Sequence, residues 1–155
     1  MKFFTEKVHD IKGYRDNLLS LNDSLDKKTL DFFLNKTLHD STIIEMKLLN
    51  QYDDNTSDES KKSIVSVHAK LQYWDGTIIE LLWADVTQYF IDFDITRNKI
   101  AETNQILFNR GLDEWSHDEL TQKDNGRLQH EIFLFSQTTI KIECKSLILN
   151  ILNKK

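Results

Sequence analysis

Proline is absent from the 155 residues, glycine occurs four times and cysteine once. Each scarcity excludes something. A lone thiol, Cys144, forms no internal disulfide, which fits a reducing compartment and predicts a cytoplasmic protein. Four glycines, with no G-x-x-x-x-G-K and no G-x-G-x-x-G among them, do not build a phosphate cradle, so a nucleotide enzyme is not expected. Long apolar runs are also missing. The opening MKFFTEKVHDIKGYRDN is interrupted by Lys2, Glu6, Lys7, Asp10 and Lys12, so no signal peptide is expected, and no later run reaches membrane-spanning length. A chain of this length buries about two thirds of its unfolded surface, so residues 1–155 are expected to fold as one domain without a metal or disulfide.

The net charge of -5 is unevenly placed. Residues 1–74 carry 11 Lys/Arg against 12 Asp/Glu, residues 75–124 carry 4 against 11, and residues 125–155 carry 5 against 2. The acidity therefore sits in the middle. Such a surface repels phosphate, which argues against nucleic acid, and attracts a basic protein partner. A plain solvated face, acidic for solubility, explains the same composition.

Gly13, Gly76, Gly111 and Gly126 fall where the apolar patterns break, as turn punctuation does. Before His39 the pattern is helical: Leu18, Leu21 and Leu25, then Leu30, Phe33, Leu34 and Thr37 at helical spacing, with Asp23 or Ser24 as the cap of the second helix. Phe3, Phe4, Val8 and Ile11 can dock the first residues to the body. From Ser41 the period becomes two. Ile44, Met46 and Leu48 alternate with Glu45 and Lys47, and SIVSVHAKLQY sets Val65, Val67, Ala69, Leu71 and Tyr73 against Ser66, His68, Lys70 and Gln72. Trp74, Asp75 and Gly76 turn that strand into TIIELLW as a hairpin. A break at Asp85 precedes a further strand, VTQYFIDFD. After DNG, RLQHEIFLFS and TIKIECKSLIL read as two more strands. The expected fold is α+β, with N-terminal helices packed on an antiparallel sheet of five or six strands. The helical front covers 1–38 and the sheet 42–149, with a mobile polar loop at 51–62 and an acidic loop at 95–124 holding at most one helix.

The residues that invite chemistry have plainer readings. His9, His39, His68, His117 and His130 show no metal-ligand spacing, so neither metal nor cofactor is expected. His130 shares a face with Leu128 and Ile132, as a hydrogen-bonded core or rim histidine does. In LHDSTIIEM, His39 can bond free carbonyls at a helix end while Asp40 and Ser41 close a corner. A His39–Asp40–Ser41 triad has diverging side chains. Cys144 reads as a small core residue. Trp74, Trp83, Tyr89 and Phe90 read as core. Trp115, inside DEWSHDE, is the exception: ringed by Asp113, Glu114, Asp118 and Glu119, it fits an aromatic hot spot for a cationic partner, or it lies tucked onto the sheet under its own loop.

LHDSTIIEM, a central hairpin, DNGRLQHEIFLF and IKIECKSLIL together resemble a set of small bacterial proteins that look like immunity proteins of polymorphic toxin systems. The likeness runs over about residues 37–149. It implies a protein that binds a cognate toxin and blocks it without chemistry of its own, and no binding residue carries over from it. The first expectation is therefore a non-catalytic inhibitor whose acidic face, Asp92, Asp94 and Asp113 to Glu119, docks on a basic toxin domain. The alternatives are a hydrolase using His39, Asp40, His68 or His130, and a structural adaptor.

Overall fold

The computed structural model describes residues 1–52 and 63–152. Two helices come first, α1 (Ile11–Ser20) and α2 (Lys27–Asn35). Asp10 caps α1 by accepting the Gly13 N–H at 2.8 Å. A Cβ on Gly13 would stand 2.1 Å from the Asp10 carboxylate, so a larger residue there would make the capping side chain shift. Asp26, rather than Asp23 or Ser24, caps α2: it is the residue with extended backbone, and its carboxylate takes the N–H and hydroxyl of Thr29. The Thr29 hydroxyl is fully buried and accepts the Leu149 N–H at 2.9 Å, so this cap also ties the helix to the sheet.

Six antiparallel strands follow: β1 (Thr42–Tyr52), β2 (Ser63–Gln72), β3 (Ile78–Asp92), β4 (Trp115–Gln122), β5 (Leu128–Leu134) and β6 (Thr139–Leu152). The fold is α+β, as its periodicities predict. The sheet order is β1-β2-β3-β6-β5-β4, with β3 and β6 as the long central pair. The crossover from β3 therefore carries the chain to the far edge, where β4 begins. That edge curls back to the first: Thr42 bridges Glu114, the Trp115 N–H donates to the Ser41 carbonyl, and the Asp40 N–H donates to the Trp115 carbonyl. A sheet that coils this far has one enclosed face. Val67, Leu81, Trp83, Ile132, Ile142 and Leu147 fill it, together with Leu18, Leu21, Phe32 and Phe33 from the helices.

Several expectations are corrected. The segment 95–124 is not a loop throughout: it has short 3-10 turns at Ile95–Arg97 and Phe108–Arg110, then the whole of β4. Strand β4 escapes a period-two reading because a register shift between Trp115 and His117 breaks its alternation, and a half-buried, inward-bonded Asp118 sits where an apolar residue is expected. The two runs either side of Asp85 are one strand. Asp85 takes a φ of 51°, and the break lets Trp83 and Val86 both face inward. Trp83 is core, whereas Trp74 and Phe90 are exposed. Gln51 and Tyr52 of the expected polar loop belong to β1, and residues 53–62 lie outside the described residues.

Candidate functional site

The outward face of β3, β6, β5 and β4 presents two cross-strand rows. One runs Phe90, Lys141, Glu131, Glu119, and the next runs Asp92, Thr139, Phe133, His117. Glu119 and Glu131 stand directly opposite one another, an arrangement that is unfavourable unless both charges are matched. The first residues of the chain match them. The Glu119 carboxylate accepts the backbone N–H groups of Lys2 (2.5 Å), Phe3 (2.7 Å) and Phe4 (2.5 Å). Glu131 takes the Met1 ammonium at 2.7 Å and Lys141 at 3.6 Å. Burial pushes the Glu131 carboxyl up, but these two cations outweigh it and hold the group below its ordinary range. Residues 1–9 thus form a strap across the outer face, pinned by Phe3 and Phe4 against Tyr14.

Between strap and sheet lies a cleft of about 740 Å³. Phe133, His117, Thr139, Lys141 and Glu131 form its floor, Phe4, Glu6 and His9 come from the strap, and His39 and Gln137 close the far side. Three of the five histidines converge here from separate segments. His39 Nδ1 donates to the Ser116 carbonyl at 2.5 Å, and its Nε2 is 3.3 Å from Asp40. This corrects the expectation of a helix-end carbonyl: α2 stops at Asn35, and the imidazole instead ties the β1 corner to β4. His117 Nδ1 is 3.0 Å from the Ser116 hydroxyl, and its ring packs against Phe133. Burial pushes the His117 imidazole below its ordinary range despite the neighbouring Asp118 and Glu119. Among the described residues no group of three His, Cys, Asp or Glu is placed to hold a metal ion.

The acidic residues singled out in the sequence divide between the interior and the surface. Trp115 is not an exposed anchor. It is 1% exposed and tucked onto the sheet, with its indole N–H on Asp118 Oδ1 at 2.9 Å. Asp118 faces the core, where its other oxygen bonds His130 Nε2 at 2.9 Å. Glu119 is buried beneath the strap, and Asp113 is buried with Arg110 3.8 Å away. Glu114 is half-buried, and its backbone carries the bridge to Thr42. Charges inside the fold already have partners and are not free to meet another protein. Asp92 and Asp94 alone of the set are exposed. Arg97 donates to Asp92 at 2.8 and 3.0 Å and holds its carboxyl below the ordinary range, while the Thr96 hydroxyl and N–H do the same for Asp94.

The residues named for a hydrolase are dispersed. His130 is fully buried, His68 bonds the Ser66 hydroxyl on β2, and the Ser41 hydroxyl is buried without a partner among the described residues. What the sequence did not single out is that Phe90 on β3, Phe93 just beyond it and Phe108 in the crossover are each about half or more exposed. The signal was the alternation Phe90, Asp92, Asp94, which placed a phenylalanine on the charged side of its strand. No helix among the described residues is long and apolar enough to cross a membrane. Compared with known proteins, the chain matches no family model, no curated protein and no solved structure, so every assignment here rests on its own residues.

Proposed function

We propose that this chain is a non-catalytic binding protein that docks a basic protein partner, in the manner of an immunity protein occluding a toxin domain. The observation that carries the reading is exposed Phe90 and exposed Asp92 side by side on the outer face of β3, with Phe93 and Asp94 exposed directly after it in the chain. Apolar anchors supply area, and the surrounding charge selects a cationic surface and speeds its approach. The local resemblance of LHDSTIIEM and the closing strand pair to immunity proteins supports the same class.

The experiment is affinity capture from the source lysate at low and high salt with the wild-type chain and with a Phe93→Ser/Asp92→Asn variant, followed by mass spectrometry. A stoichiometric basic protein, weakened by salt, lost in the variant and toxic when expressed without this chain, is the expected result. Equal capture by both forms, or a captured protein whose activity is unaffected, sinks the inhibitor reading. A captured scaffold component without toxicity points instead to an adaptor. One observation favours a hydrolase as the second reading: the Ser116 hydroxyl and His117 Nδ1 stand 3.0 Å apart at the cleft. Turnover of an activated acyl ester, abolished by Ser116→Ala in a folded protein, would establish it.

A further inference from the structure

We infer that the open edge of β1 pairs with the β1 of a second copy of this chain, antiparallel and about a two-fold axis at Leu48, so that the sheets of two copies run on as one.

In the sheet order β1 and β4 are the edge strands. The fold itself closes one end of the β1 edge: Thr42 bridges Glu114, and the Ile43 N–H donates to the Asp113 carbonyl at 3.5 Å. Beyond Ile43 the outer side of β1 meets no strand among the described residues. Residues 44–52 therefore turn alternate backbone N–H and C=O groups outward along about 30 Å of strand, a template for pairing.

The side chains along this edge do not blunt it. Ile44 and Leu48 are each 51% exposed and Tyr52 55%, at four-residue spacing. Leu48 stands opposite Val67, which is fully buried, so Leu48 lies on the enclosed face of the sheet and is open because no strand follows it. Lys47, the kind of residue that guards an edge, is paired with Glu45 at 2.8 Å, and these two are the only charges in the segment. The edge is thus neutral in a chain of net charge -5, and two copies meet there with little repulsion.

The free length selects the register. A two-fold axis at Leu48 overlaps all of residues 44–52 and stops where Asp113 and Glu114 occupy the edge. Leu48 then meets Leu48, Ile44 meets Tyr52 at both ends, the Glu45 carboxylate faces the Gln51 amide, Met46 faces Asn50 and Lys47 faces Leu49. No like charges oppose one another. An axis at Lys47 would set two lysines face to face, and an axis at Met46 would drive Leu49 and Asn50 of the second copy into the Asp113–Glu114 segment. The edge shares no residue with the Phe90–Asp92 face or with the cleft, so the pairing stands or falls apart from the binding proposed above.

The test is sedimentation of the full chain from about 1 to about 500 μM, since mass action makes the apparent mass of a dimer depend on concentration. A strand pair of this length is a small interface, so dissociation in the micromolar range is expected, with the mass rising from 18.3 kDa towards twice that value. Leu48→Lys, which sets two lysines on the axis, should weaken the dimer at least about tenfold while leaving the far-ultraviolet dichroism unchanged. A second variant keeps the register testable should that one misfold. Directly opposed strand residues lie within disulfide reach, so Leu48→Cys should crosslink two copies on oxidation, whereas Tyr52→Cys, whose two thiols lie at opposite ends of the pair, should not. Cys144 is buried and stays out of the reaction. A monomer at every concentration, a dimer indifferent to a folded Leu48→Lys, or crosslinking at position 52 rather than 48 overturns the inference.

Discussion

Glu119 Oε1 accepts the backbone N–H of Phe3 at 2.7 Å across 116 residues of chain, inside the fold. With the N–H groups of Lys2 and Phe4 on the same carboxylate, a strand residue holds the strap that roofs the cleft. A buried carboxylate is tolerated only when donors replace its water, and here three backbone groups do so.

Removing that acceptor should release the strap. Glu119→Ala is expected to cost about 2–4 kcal/mol, since three N–H groups lose a charged partner at once. Denaturant unfolding measures the cost, and amide hydrogen exchange at Lys2, Phe3 and Phe4 locates it. Unchanged protection of those amides would show that the strap is held by its phenylalanines alone.

The core contains a second such device. The Trp83 indole N–H donates to His130 Nδ1 at 3.1 Å, so the ring carries its proton on Nε2 and gives it to Asp118, which also receives the Trp115 indole N–H. His130→Phe keeps an aromatic ring, though a larger one, but strips Asp118 of a partner, and should cost about 3–5 kcal/mol. Trp83→Phe, which removes one neutral donor, should cost about 1 kcal/mol for the bond plus the smaller ring's lost packing. Comparable losses from the two variants would mean that packing, not the carboxylate, dominates.

His117 sets a pH dependence of stability. Its folded pKa lies below the unfolded value of about 6.5, so the folded state is favoured fully above that value. That stability is lost as pH falls from there through the folded pKa. Unfolding free energy should therefore decline between pH 7.5 and 5, and should decline less in His117→Gln. Parallel curves for the two proteins would refute the assignment.

Cys144 should behave as a core atom. Burial pushes its thiol up to about 12, far from the thiolate needed for reaction at neutral pH. Labelling by a thiol reagent is expected to follow the opening of the sheet and to accelerate with denaturant in step with unfolding. Rapid labelling of the native protein, at the rate of a free thiol, would contradict the buried position.

Much of the sheet was legible where inward residues alternate without interruption, as they do along β5. Leu128, His130, Ile132 and Leu134 all face the core, and the turn at Trp74 to Gly76 joins β2 to β3 as the pattern requires. The site was far less legible. Trp115, Asp118 and Glu119 read as a polar surface because their partners are Asp118 itself, His130 and the backbone of Lys2 to Phe4, which lie up to 117 residues away in sequence. Charge composition gives no hint that a carboxylate is satisfied from within.

Local sequence was enough to determine the helices, their order before the sheet, most of the strands and their inward faces, since these follow from spacing and turn chemistry between near neighbours. Only the tertiary structure decided that β3 pairs with β6, that β4 returns to touch β1, and that His9, His39 and His117 share one cleft. Those relationships depend on the coil of the sheet, which brings together residues that no periodicity connects.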